Sequence, residues 1–135
     1  MHWDRTMELH FDEQTVRAAL KDCWSFESAK QWTAENPAAG QCNVTAAVIH
    51  DLFGGDILRT KLPEGYHYYN RINGVVVDLA DSQFAKPIEY ANENSSLEAA
   101  MACVSDGEYE ALRTKLVHRL ASKRVWHDDV GLQLR

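Results

Sequence analysis

The chain has 135 residues, 45% hydrophobic and 25% charged, which suits one compact domain over residues 1–135 and excludes a disordered or fibrous chain. A formal net charge of −6 argues against a nucleic-acid backbone or an anionic membrane as the main partner, since both demand clustered Lys and Arg. Cys23, Cys42 and Cys103 are an odd, widely separated set without CxxC spacing, which argues against a disulfide framework or a zinc ribbon.

In DEQTVRAALKDCW, residues 12–24, Val16, Ala19, Leu20 and Cys23 recur at helical spacing behind a capping Asp12, which predicts an amphipathic helix with Cys23 on its buried side. SFESAKQWTAENPAAG is then a polar loop that carries Trp32 and ends in the punctuation of Pro37 and Gly40. Residues 41–53 hold Val44, Ala46, Ala47, Val48, Ile49, Leu52 and Phe53, so this helix is apolar nearly all round and expected to be buried nearly all round. Gly54-Gly55 ends it.

The period then changes to two. Residues 56–62 alternate like a strand, Pro63, Glu64 and Gly65 make a turn, and residues 66–72 and 75–79 are strands joined by Asn73-Gly74, a strong hairpin signal. After Phe84 the chain loosens, with a short helix expected over residues 95–103 and a longer one over residues 107–124, where Tyr109, Leu112, Leu116 and Leu120 recur. The basic run from Lys115 to Arg124 reads as the solvated face of that helix, and the tail VWHDDVGLQLR gives no clear reading. No stretch approaches the roughly 20 apolar residues of a membrane span. MHWDRTMELH lacks the basic-then-apolar design of a signal peptide, so no membrane association and a cytoplasmic location are expected.

The hairpin fixes a geometry. If Asn73 and Gly74 are a two-residue type I′ loop, Ile72 faces Val75 and Tyr69 faces Asp78, which sets His67, Tyr69, Val76 and Asp78 on one face. His67 and Asp78 are then diagonal neighbours about 7–8 Å apart at the backbone, within hydrogen-bonding reach of an imidazole and a carboxylate. A three-residue loop would send Asp78 to the other face.

Those positions suit a cysteine nucleophile. Cys42 starts a helix, where unpaired N–H groups and the positive end of the dipole favour a thiolate. His67 would take and return the proton, Asp78 would orient His67, and the first helical N–H groups with Gln41 or Asn43 would hold an oxyanion. Trp32 is a candidate wall of the substrate cleft. Taken singly, Cys42 reads as a small core residue, His67 as a strand residue bonded to a carbonyl, and Asp78 as a turn cap. His50 sits too far along the helix to reach Cys42 and reads as a satisfied histidine at the rim of the core, while His2 and His10 read as surface residues. A metal held by Cys42, His67 and Asp78 lacks a fourth ligand at a diagnostic spacing, and no Gly-rich phosphate loop or nucleotide fingerprint implies a cofactor, so none is expected.

Residues 24–84 carry Trp24-Ser25, Trp32, Pro37, Gly40-Gln41-Cys42, Val44-Thr45-Ala46, Phe53-Gly54-Gly55, His67-Tyr68-Tyr69-Asn70-Arg71, Asp78-Leu79 and Gln83-Phe84. In these the chain resembles the YunG family of small, largely uncharacterised bacterial proteins, and it departs from that pattern after Phe84. A helix-start Cys, a strand His and a next-strand Asp also look like the core of papain-like and transglutaminase-like enzymes, which implies cysteine-dependent acyl transfer or amide hydrolysis.

The expectation is therefore an α+β domain in which a central helix bearing Cys42 packs on an antiparallel sheet of three or more strands between N- and C-terminal helices. Its expected function is a cysteine hydrolase or acyltransferase on an amide or thioester of a small molecule or peptide. The alternative is a non-enzymatic module that binds a peptide or partner protein and uses Cys42 structurally.

Overall fold

The computed structural model describes the backbone over residues 10–133 and side chains over residues 10–121. Asp12 accepts a hydrogen bond from the Thr15 N–H at 2.9 Å and so starts α1, Glu13–Cys23, whose Val16, Ala19, Leu20 and Cys23 are buried as their spacing requires. Next comes α2, Cys42–Phe53, with every residue from Val44 to Ile49 buried. Gly54 closes this helix at φ 77°, where its N–H bonds the His50 carbonyl, a conformation glycine adopts without penalty.

Three strands follow: β1 (Asp56–Leu62), β2 (Gly65–Ile72) and β3 (Val75–Val77). Asn73 and Gly74 both take positive φ, at 52° and 79°, as a type I′ turn demands, and the ladder runs Ile72↔Val75, Arg71↔Val76, Asn70↔Val77. The two-residue register expected from the sequence is the one observed. Strand β3 is shorter than the expected residues 75–79, because Asp78 leaves the ladder: its carboxylate accepts from the Ala80 N–H at 3.2 Å and the chain turns into a 3₁₀ turn over Asp81–Gln83. The ladder thus ends three positions short of His67.

The sheet gains a fourth strand, β4 (Glu93–Asn94), antiparallel to β1, giving the order β3-β2-β1-β4. Ser96 accepts from the Ala99 N–H and caps α3, Leu97–Met101, inside the range expected to be helical. The last helix, α4 (Asp106–Gln133), includes most of the tail that has no clear sequence reading. Its Leu112, Leu116 and Leu120 join Val16, Leu20, Val44, Val48, Ile49, Ile72, Val77 and Leu79 in the main core. Lys115 pairs with Glu27 and Arg119 with Asp22, as basic groups on the polar face of that helix.

This is the expected α+β arrangement of a buried Cys42 helix on an antiparallel sheet with helices before and after it. Among the described residues no helix is long and apolar enough to cross a membrane. His10 is exposed, whereas His2 and the N-terminal stretch read for a signal peptide fall, apart from His10, outside the described residues.

Candidate functional site

The approach to Cys42 is built by its predecessors. Gly40 takes φ +71°, and a Cβ there would come within 2.5 Å of the Gln31 side chain, so the loop closes tightly just before the helix. Gln41 donates its N–H to the Ala38 carbonyl, and the first bond of the helix runs from the Thr45 N–H to the Gln41 carbonyl. The N–H groups of Cys42, Asn43 and Val44 therefore have no backbone acceptor among the described residues, which is the ordinary state of a helix N-terminus. Trp24, just past the end of α1, adds an anchor, its indole N–H donating to Thr45 Oγ1 at 2.9 Å.

Gln41 and Asn43, expected to serve as oxyanion donors, both have structural duties. The buried Gln41 accepts from Ser28 Oγ at 2.8 Å and donates to the Ser25 carbonyl at 3.3 Å, bolting the 25–28 turn to the helix start. Asn43 donates to the Ala100 carbonyl at 3.1 Å, joining α2 to α3, while its Oδ1 lies 3.1 Å from the Cys42 thiol, which donates to it. One N–H of each amide is thereby spent on holding the protein together. The free donors nearest the thiol by chain position are the backbone N–H groups of the first turn.

On the sheet, His67 and Asp78 meet as the register implies. Their Nε2 and Oδ2 atoms are 2.6 Å apart, with side chains only 2% and 5% exposed. The imidazole stacks on Tyr69 with ring centres 5.8 Å apart and receives Phe84 edge-on at 4.8 Å. His67 Nδ1 is buried and has no hydrogen-bond partner among the described residues. The proton affinity of the ring is pushed up to about 9: burial opposes the charged form, but the bond and charge of Asp78, together with the nearby Cys42, outweigh it. Cys42 is close enough to the ring to contribute to that rise.

Asp78 is held from every side. Oδ2 accepts from His67 and also from the Tyr90 hydroxyl at 2.7 Å, Oδ1 accepts from the Ala80 N–H, and the main-chain oxygen accepts from Arg17 Nη2 at 2.9 Å. Tyr90 is a functional candidate that sequence reasoning misses, because it lies in the irregular stretch after Phe84 and reaches Asp78 only through the tertiary fold. A second network fixes the same stretch. The Ala91 N–H donates to Thr60 Oγ1 at 2.8 Å, and Tyr69 OH donates to Asn92 Oδ1 at 2.9 Å, which obliges Thr60 to be the donor across its 2.7 Å bond with Tyr69.

Trp32 packs against the same core cluster as Cys42, with its indole N–H buried and unpartnered among the described residues. A cleft of about 400 Å³, lined in part by Arg17, Lys21, Trp24, Pro37, Leu79 and Ser82, includes neither Trp32 nor Cys42, His67 or Asp78. It touches the site's surroundings through Arg17, which bonds the Asp78 carbonyl, and Leu79, the next residue. His50 lines a separate cleft of about 330 Å³, and its buried Nδ1 has no partner among the described residues, so the expected satisfied histidine is unsatisfied at that atom. Among the described residues no cluster of His, Cys, Asp and Glu is disposed to hold a metal ion.

The chain has recognisable relatives among known proteins. The family model described as YunG protein matches residues 12–121, which extends past Phe84 into α4. An uncharacterized protein YunG of Bacillus subtilis (strain 168) is 48% identical over 98 residues, covering 73% of this chain and 85% of that protein. No solved structure matches.

Proposed function

This chain belongs to the YunG family, and from the chemistry of its buried centre we propose that it is a cysteine-dependent hydrolase or acyltransferase acting on an amide or thioester. Cys42 is the nucleophile, His67 the acid and base, and Asp78 the group that orients His67. The observation that carries the reading is the His67 ring: one nitrogen is bonded to a buried carboxylate, and the other is buried, unpartnered among the described residues and on a ring that feels the Cys42 thiol. What sets this nitrogen apart from the equally unpartnered Nδ1 of His50 is that its ring also holds a buried carboxylate and lies close to Cys42.

The steps follow from that geometry. In the reactive form the Cys42 thiol proton already resides on His67, giving a thiolate beside the imidazolium, and Sγ bonds to the acyl carbon while the carbonyl π pair moves onto oxygen. The N–H groups at the start of α2 stabilise that oxyanion. When the carbonyl re-forms, the bond to the leaving nitrogen or sulfur breaks and His67 returns its proton to that atom. Water, or an acceptor amine, thiol or alcohol, then attacks the acyl-cysteine with His67 as base, which restores Cys42. In this reading the centre is of the papain-like or transglutaminase-like kind.

A non-enzymatic peptide- or protein-binding module is the rival, favoured by the closed thiol: Cys42 donates to Asn43, which is itself tied to Ala100. Iodoacetamide labelling separates the two. The enzyme reading expects Cys42 in the folded protein to label fast down to mildly acidic pH, well ahead of exposed Cys103, with buried Cys23 silent. His67→Ala abolishes that advantage. Labelling of Cys42 only after unfolding would leave the binding module as the better account.

A further inference from the structure

Asp78 Oδ2 receives two donors of unlike mobility. His67 Nε2 lies at 2.6 Å in the interior, and Tyr90 OH at 2.7 Å comes from a partly exposed side chain on the irregular stretch after Phe84. The Tyr90 ring sits edge-on to Tyr69 at 5.0 Å, and the adjoining Ala91 and Asn92 are hydrogen-bonded to Thr60 and Tyr69. The hydroxyl is thus aimed by its neighbours.

We infer that Tyr90 is a positioning residue that sets how tightly His67 holds its proton, by sharing with it the single carboxylate oxygen that orients the imidazole. A donor on Oδ2 disperses the negative charge that His67 would otherwise have to itself and pins the lone pair left over. With Tyr90 in place the imidazolium is bound firmly enough to be oriented and loosely enough to release its proton to a leaving group. Without it, Asp78 is the stronger partner and His67 the weaker acid. The phenol remains a donor over the working range, since burial first, then the bond and charge of Asp78, hold its own proton more tightly than in an ordinary tyrosine.

The other groups that act on His67 are in view. Cys42 approaches from the start of α2, Tyr69 stacks from the same strand, Arg17 of α1 binds the Asp78 carbonyl, and Asp81 adds its charge near Tyr90. Among the described residues, Tyr90 alone joins His67 in donating a side-chain proton to Asp78 Oδ2, whereas none of these four groups does. The consequence for catalysis rests on the proposed roles of Cys42 and His67, whereas the effect on His67 itself does not.

The test is an NMR titration of the His67 ring in full-length protein carrying isotope-labelled histidine, its signal assigned by loss in His67→Gln. Tyr90→Phe keeps the ring against Tyr69 and removes only the donor, so the His67 midpoint is expected to rise by about 0.5–1 unit, a roughly three- to tenfold gain in proton affinity. Site-specific 3-fluorotyrosine at position 90, a stronger donor, is expected to lower it. Because the fluorinated protein keeps all native hydrogen bonds, it carries the test even if Tyr90→Phe fails to fold. A midpoint unmoved in the folded variants, or moved the same way by both, would overturn the inference. Cys42 labelling in the same samples reports separately on the nucleophile, so a silent cysteine with a shifted His67 would defeat the enzyme reading and leave the role of Tyr90 standing.

Discussion

The two sides of the site are built on opposite plans. On the sheet side, Asp78 spends both carboxylate oxygens and its main-chain oxygen on five partners among the described residues, His67, Tyr90, Arg17 and the N–H groups of Ala80 and Asp81, and His67 is wedged between Tyr69 and Phe84. On the helix side, among the described residues, the Cys42 thiol donates to the next residue, and a row of N–H groups has no backbone acceptor. On the proposed reading, the fixed pair on the sheet side holds the acid–base group still, while the N–H groups at the start of α2 are left to meet an oxyanion.

The contrast breaks most visibly at Asp78. Asp78→Ala leaves His67 Nε2, the Tyr90 hydroxyl and the Ala80 N–H without their acceptor inside the protein, and is expected to cost about 3–5 kcal/mol in urea unfolding at neutral pH. A cost below about 1 kcal/mol would mean the pair is solvated and the sheet side is not the rigid one.

A smaller effect sharpens the same comparison through pH. The folded value of about 9 for His67 lies above its ordinary 6.5, so the stabilisation from the charged ring is complete below about pH 6.5 and is lost as pH rises through about 9. The expected decline is on the order of 2 kcal/mol, read as a falling urea midpoint across that window, and absent in His67→Gln. A midpoint that is flat in the native protein over the same range would show that His67 is neutral in the fold.

Much of the sheet side is legible in the amino-acid sequence. Asn73-Gly74 admits one favoured turn, the strands on either side alternate, and the pairing of His67 with Asp78 follows from counting. The helix ends are equally plain at Asp12 and at Gly54, where side-chain and glycine capping leave local marks. Long-range hydrogen bonds leave no such mark. Strand β4 has two residues and no alternation to display, and it exists because it pairs with Leu58 and Arg59 of β1, where Arg59 also meets Glu93. Tyr90 reads as one aromatic in a polar stretch until the fold delivers its hydroxyl to Asp78. Gln41 and Asn43 show the same limit from the other direction: amides beside a helix-start cysteine suggest an oxyanion site, and only the fold reveals Ser25, Ser28 and Ala100 as their partners.

The claim at the centre of this account is that Cys42 forms a covalent bond to an acyl group with the help of His67. Brief exposure of the folded protein to a panel of acyl thioesters and activated amides, followed by acid quench and peptide mass analysis, tests it directly. The account predicts an acyl adduct on Cys42 for at least one donor that turns over in the native protein. In His67→Ala the adduct should form at least about a hundredfold more slowly, the usual worth of a positioned acid and base. Adducts confined to exposed Cys103, or equal on Cys42 with and without His67, would contradict it.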